Sequence, residues 1–161
     1  KIYGHNYDLT LRDNVKSHYI NNDAQLTHLN CGYPIKGGYL VTAFIQGAVG
    51  LFRLDGNYQE LTSGFLGCHG ARTRPNLNGF YFSDTCNGAL IEMDWQGNIF
   101  RRHIVKSKWL HDCQWIAGDL YLFSISDSNK IQLWDIGSKE MIWELDMSLY
   151  GETTLLFSAS E

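Results

Sequence analysis

One phrase is written three times along this chain of 161 residues, and it limits what the chain can fold into. Each copy is a histidine, then a glycine leading an aliphatic or aromatic run, then a second apolar run closed by aspartate. The first reads His28, Gly38-Tyr39-Leu40-Val41 and Gly50-Leu51-Phe52-Arg53-Leu54-Asp55. The second reads His69, Gly79-Phe80-Tyr81-Phe82 and Ala89-Leu90-Ile91-Glu92-Met93-Asp94. The third reads His111, Gly118-Asp119-Leu120-Tyr121-Leu122 and Ile131-Gln132-Leu133-Trp134-Asp135. Corresponding positions lie 39 to 42 residues apart. A period of about 40 to 45 residues built from short strands is the mark of a β-propeller, in which every unit supplies one blade.

The residue pattern within each unit agrees. Leu51-Phe52-Arg53-Leu54-Asp55 and Ile131-Gln132-Leu133-Trp134 alternate as half-covered strands do, whereas Tyr39 to Phe44 and Leu120 to Ile125 are apolar almost throughout, as strands covered on both faces must be. Gly56-Asn57, Gln96-Gly97-Asn98 and Gly137-Ser138 follow the closing aspartates and suit tight hairpins. Asp55, Asp94 and Asp135 are expected to cap those hairpins by accepting backbone amides.

The fold class expected is therefore all-β: a β-propeller or a section of one, with four-stranded antiparallel blades and a period of about 41 residues. Sheets are expected at 28–66, 69–107 and 111–147, with outer strands at Tyr58 to Thr62, Ile99 to Val105 and Met141 to Met147. The blade divisions are 28–67, 68–110 and 111–150, flanked by partial blades at 1–27 and 151–161. Leu9 to Asp13 and Val15 to Ile20 resemble a third and a fourth strand, and Leu155 to Glu161 echoes Tyr121 to Asp127, so the chain enters and leaves in mid-blade. Either the two ends pair and close a small ring, or further chain or another subunit completes a larger one; the second is favoured, since an open array leaves apolar faces and sheet edges in water.

Composition narrows the partners. A formal net charge of −4, with no basic cluster beyond Arg101-Arg102 and the adjoining His103, speaks against nucleic acid. No apolar run is long enough for a membrane span. The four cysteines, Cys31, Cys68, Cys86 and Cys113, form no Cys-x-x-Cys pair and read as reduced thiols. The chain has no Asn-x-Ser/Thr acceptor, which favours a cytoplasmic location, although a leader removed ahead of Lys1 stays compatible with it.

The wording of the repeats resembles the superfamily of enzyme-like and ligand-binding propellers that includes the strictosidine-synthase/gluconolactonase group, virginiamycin B lyases and NHL-repeat proteins. His28-Leu29-Asn30 ahead of Leu40-Val41-Thr42-Ala43-Phe44, and Gly79-Phe80-Tyr81-Phe82-Ser83-Asp84 ahead of Ala89-Leu90-Ile91-Glu92-Met93-Asp94, are similar to uncharacterised bacterial propellers of that kind. The resemblance covers residues 28 to 135 and implies the propeller fold. Leu133-Trp134-Asp135 is similar to the Trp-Asp dipeptide of WD repeats, but the Gly-His partner is missing and the other units end in Leu54-Asp55 and Met93-Asp94.

Two function classes are compatible with these features. In the first, His28, His69 and His111 stand at one level where the innermost strands converge on the propeller axis and bind a small molecule, as ligands or as acid and base groups of a lyase or hydrolase. Residues that depart from the repeat surround them: Asn30, Arg72, Arg74, Asp112, Gln114 and Trp115. The ligand-binding set is then His28, Asn30, His69, Arg72, His111 and Asp112, with Arg72 suited to an anionic group. Glu152 stands one period beyond His111, so His28, His69, His111 and Glu152 form a candidate set for a divalent metal cofactor. In the second class the histidines and arginines bond neighbouring blades, and the protein is a scaffold that binds another protein. The sequence carries no phosphate-binding Gly-Lys-Ser/Thr loop, Gly-x-Ser-x-Gly elbow or His-Glu-x-x-His helix.

Overall fold

The computed structural model describes residues 29 to 148. Over that span the chain is a succession of three four-stranded antiparallel sheets, each built from consecutive strands. The first comprises β1 (Leu29–Ile35), β2 (Gly38–Ala43), β3 (Ala48–Arg53) and β4 (Tyr58–Thr62). The second comprises β5 (Cys68–Arg72), β6 (Gly79–Asp84), β7 (Ala89–Asp94) and β8 (Ile99–Ile104). The third comprises β9 (Leu110–Ala117), β10 (Leu120–Ile125), β11 (Lys130–Asp135) and β12 (Glu140–Asp146). The strands expected at 9–13, 15–20 and 155–161 lie outside the described residues, as do His28 and Glu152.

The second sheet shows why the middle strands carry uninterrupted apolar runs. Successive side chains of a strand point to opposite faces. Along β6, Phe80 and Phe82 face the first sheet and pack with Leu40 and Val49 of that sheet and with Ala71 and Ile91 of their own. Tyr81, between them, faces the third sheet and packs with Leu110, Cys113, Tyr121 and Phe123. On β7, Ala89, Ile91 and Met93 go one way and Leu90 the other. Each fully buried phenylalanine or leucine of this kind contributes roughly 1.5 to 3 kcal/mol.

Register assigns the equivalent positions. Gly38 pairs with Arg53, Gly79 with Asp94, and Leu120 with Asp135. Arg53 therefore stands where Asp94 and Asp135 stand, and Asp55 lies two residues further into its turn. All three aspartates nonetheless cap their hairpins: the amides of Asn57, Gln96 and Gly137 donate to Oδ1 of Asp55, Asp94 and Asp135. Gly118 likewise falls before its strand, in the β9–β10 turn at φ 54, and the place held by Gly38 and Gly79 belongs to Leu120. A bulge absorbs one residue in the first strand of every sheet, between Leu29 and Cys31, between His69 and Arg72, and opposite Ser124 and Ile125, where His111 is the extra residue. All four cysteines are free thiols.

Candidate functional site

The bulged first strands carry the candidate site. Leu29, Cys68 and Leu110 pair with the equivalent residues Ala43, Asp84 and Ile125, so the position that follows is Asn30 in the first sheet, His69 in the second and His111 in the third. The register shared by His69 and His111 thus passes to Asn30, two residues beyond His28. Bulges re-aim side chains and gather next to binding sites. Here they bring two imidazoles into contact: the His69 and His111 ring centroids are 4.6 Å apart, with 50° between ring planes.

Each imidazole is oriented from within its own sheet. Thr85 Oγ1 lies 2.7 Å from His69 Nδ1, and Ser126 Oγ lies 3.3 Å from His111 Nδ1. Thr85 and Ser126 are the residues just past the second strands β6 and β10. In the first sheet that place is taken by Phe44, which has no hydroxyl and instead sets its ring 5.0 Å from His69 and 5.6 Å from Trp109. Asn30 Nδ2 is buried and meets no hydrogen-bond partner among the described residues. In the first sheet the register positions of the histidine and the hydroxyl are thereby held by Asn30 and Phe44. Phe44, Thr85 and Ser126 had a signal in the sequence, since Ser83-Asp84-Thr85 and Ser124-Ile125-Ser126 end the same apolar run.

Beneath the histidines, Arg72 and Asp112 bond to each other. Arg72 Nη1 and Nη2 donate to Asp112 Oδ1 and Oδ2, and Nη1 also donates to the carbonyls of Gly70 and Cys113. Both side chains are buried, so the expected anion-binding arginine is engaged by the acid of the adjacent sheet. Arg74 is likewise paired, through Nε, with Glu92 Oε1 at 2.9 Å. Tyr121 donates its hydroxyl to the same oxygen, and Arg101 bridges Glu92 to Asp119. Gln114 Nε2 donates to the Trp115 carbonyl, and the Trp115 amide donates to Tyr81 Oη.

The structure thus brings His69, His111, Arg72 and Asp112 together where β5 meets β9. Of the candidate metal set, His28 and Glu152 lie outside the described residues; among those described, no group of three His, Cys, Asp or Glu side chains is arranged to hold a metal ion. Neighbouring thiols are un-ionised at neutral pH: burial pushes the Cys113 thiol up to about 12 and raises Cys68 as well.

No protein-family model matches the chain, and no curated protein matches it. Solved structures do. A streptogramin B lyase superposes with a TM-score of 0.57 at 9% identity, over 74% of this chain and 40% of the other. A virginiamycin B lyase from Staphylococcus aureus gives 0.54 at 16% identity over 76% and 45%. A catalytically inactive variant of the Staphylococcus aureus enzyme with quinupristin gives 0.56 at 18% identity over 79% and 43%. The chain spans less than half the length of each of these proteins. At such identities the likeness is one of fold: three four-stranded antiparallel sheets arranged as in these propeller-like lyases.

Proposed function

We propose that the chain binds a small organic molecule at the mouth formed by β1, β5 and β9, and that His69 and His111 act on it as an acid–base pair in a lyase-type reaction. The observation that supports this most is the contact between two imidazoles, each with Nδ1 held by its own hydroxyl. Fixing one ring nitrogen sets the orientation of the ring and assigns acid–base work to Nε2. A lyase step needs one group to accept a proton from carbon and a second to donate one to the departing atom, and two adjacent imidazoles supply two groups suited to that work. The bulge beside each residue and the fold shared with lyases agree with this reading.

A second reading, a protein-binding scaffold in which these residues bond neighbouring sheets, is favoured by one feature: the buried Arg72–Asp112 ion pair joins the second sheet to the third. One experiment separates the two. Quinupristin, the molecule held in one of the similar structures, is titrated into the protein and into His69→Gln and His111→Gln variants by calorimetry, with turnover followed by mass spectrometry. The catalytic reading expects binding or turnover by the parent and its loss in both variants, at stabilities within about 1 kcal/mol of the parent. Binding that survives both substitutions, or no binding, favours the scaffold. Elemental analysis of the same samples decides the metal set: a divalent ion lost in both variants supports it, and a metal-free active protein eliminates it.

A further inference from the structure

A second cleft lies on the outer side of the molecule, between β8 of the second sheet and β11 and β12 of the third, with a volume of about 640 Å³. It is built from residues that the inner site does not use. Trp134 and Ile104 form apolar wall, and Arg102, Lys106 and Lys139 bring positive charge to the rim. Nearby acids are already engaged: Glu144 accepts from Lys130 and Gln132, and Asp84 accepts from Asn87, Arg102 and the Leu66 amide. Lys106 and Lys139 are exposed, so the positive charge of the rim rests mainly on them.

His103 marks the cleft as more than a gap between sheets. Its side chain lines the cleft, yet the residue is only 6% exposed, packed edge-on against Trp134 at 5.1 Å and tilted against Phe123 at 6.0 Å. Its Nε2 is buried and has no hydrogen-bond partner among the described residues. Leaving such a group unpaired is costly, and a ligand atom at hydrogen-bonding distance would recover that loss. Burial first, then the charges of Lys139 and Arg101, hold this imidazole below its ordinary value, so at pH 7 it is neutral and offers a hydrogen bond without adding charge.

We propose that this outer cleft is a binding site for a small aromatic carboxylate, its ring lying against Trp134 and Ile104, its carboxylate between Lys106 and Lys139, and a polar ring atom meeting His103 Nε2. Ring and charge are both required: tryptophan supplies a flat apolar face for stacking, while two flexible ammonium groups attract the anion without imposing bidentate geometry. The site is separate from the His69–His111 mouth, so its occupancy does not depend on the reaction proposed there.

The test uses indole-3-acetate as the probe, with indole-3-acetamide as its neutral match and inorganic phosphate as the charge alone, followed by NMR of labelled protein. Indole-3-acetate is expected to shift the Trp134 indole and His103 ring signals and leave His69 and His111 unmoved. The amide should bind about fivefold more weakly, and a Lys106→Gln/Lys139→Gln variant, altered only at exposed positions, should lose a similar factor for the acid at unchanged melting temperature. The proposal is overturned by no shift at His103 and Trp134 up to about 10 mM probe, by equal affinity for acid and amide, by an unaffected lysine variant, or by phosphate binding as tightly as the aromatic acid.

Discussion

Arg72 and Asp112 meet in a two-pronged ion pair, Nη1 to Oδ1 at 2.6 Å and Nη2 to Oδ2 at 2.8 Å, that joins β5 of the second sheet to β9 of the third. Arg72 follows His69 within one bulge and Asp112 is the next residue after His111, so the pair ties together the two strands that carry the imidazoles. The carbonyls of Gly70 and Cys113 take further donor capacity of the guanidinium, and the Cys113 amide donates to Asp112 Oδ1. A buried pair satisfied in this way is worth little against an apolar substitute, but either charge left alone is costly.

Removing one partner should therefore cost more than removing both. Asp112→Ala is expected to destabilise the protein by about 3 to 5 kcal/mol by leaving the Arg72 charge buried and unpaired. An Arg72→Met/Asp112→Leu variant should recover much of that loss. Urea denaturation of the two variants checks this; a double variant as unstable as the single one would show that the pair contributes through more than its charges.

Gly70 lies inside the same knot. Its φ of +61 suits glycine, and a Cβ there would run into Asp112 Oδ1 and stand 2.6 Å from Arg72 Nη1. Gly70→Ala should thus carry two penalties, left-handed backbone strain of about 1 to 3 kcal/mol and displacement of the ion pair. A loss of at least about 2 kcal/mol in denaturation is expected, with NMR shifts at His69 and His111. A variant of parental stability would mean that the strand slides without disturbing the pair.

How much of this was legible beforehand differs between fold and site. The unbroken apolar runs Tyr39 to Phe44 and Leu120 to Ile125 announce strands covered on both faces, yet Tyr39 is exposed, and it is the second sheet, with Phe80 to Phe82 and Ala89 to Ile91, that is enclosed in that way. Register is another matter. Spacing alone aligns Asp55 with Asp94 and His28 with His69, whereas the hydrogen-bonded ladders align Arg53 and Asn30 with them. A bulge or a longer turn moves a side chain by one or two places without changing the look of the repeat. Arg72 and Asp112 each stand out as departures from the repeat, but their pairing depends on how two sheets pack, which no period in one chain encodes.

The two histidine–hydroxyl couples differ in burial and length, and their contributions should differ accordingly. Thr85 and His69 are both buried and 2.7 Å apart, while Ser126 and His111 are half-buried and 3.3 Å apart. Thr85→Val keeps the shape and leaves His69 Nδ1 without its hydroxyl, at a cost of about 1 to 3 kcal/mol. Ser126→Ala should cost under about 1 kcal/mol, since water reaches the site. Nitrogen chemical shifts of the imidazoles should show a larger change in tautomer population at His69 than at His111, and the opposite order would reverse the ranking drawn from the geometry.

Stability should fall at alkaline pH, for a reason lodged in the buried layers on either side of the second sheet. Burial pushes the Cys113 thiol from an ordinary value near 9.0 up to about 12, and it raises Tyr81 and Cys68 in the same direction. The sign follows from proton counts. Below pH 9 folded and unfolded chains both keep these protons, so the groups give no slope. Above it the unfolded chain releases protons that the folded chain holds, and stability drops by up to about 1.4 kcal/mol per pH unit for each such group. The contribution is fully present below the unfolded value and is lost as pH rises toward 12. Cys113 also accepts a hydrogen bond from Ser83 Oγ at 3.3 Å, so Cys113→Ala trades a small cavity and an unpaired hydroxyl for the loss of one titrating group. That variant should be less stable at pH 7 by about 1 to 2 kcal/mol, yet lose stability less steeply between pH 9 and 11. Denaturation midpoints measured across that range, with parent and variant side by side, read the difference directly; parallel curves would mean that the Cys113 thiol ionises as readily in the folded chain as in the unfolded one.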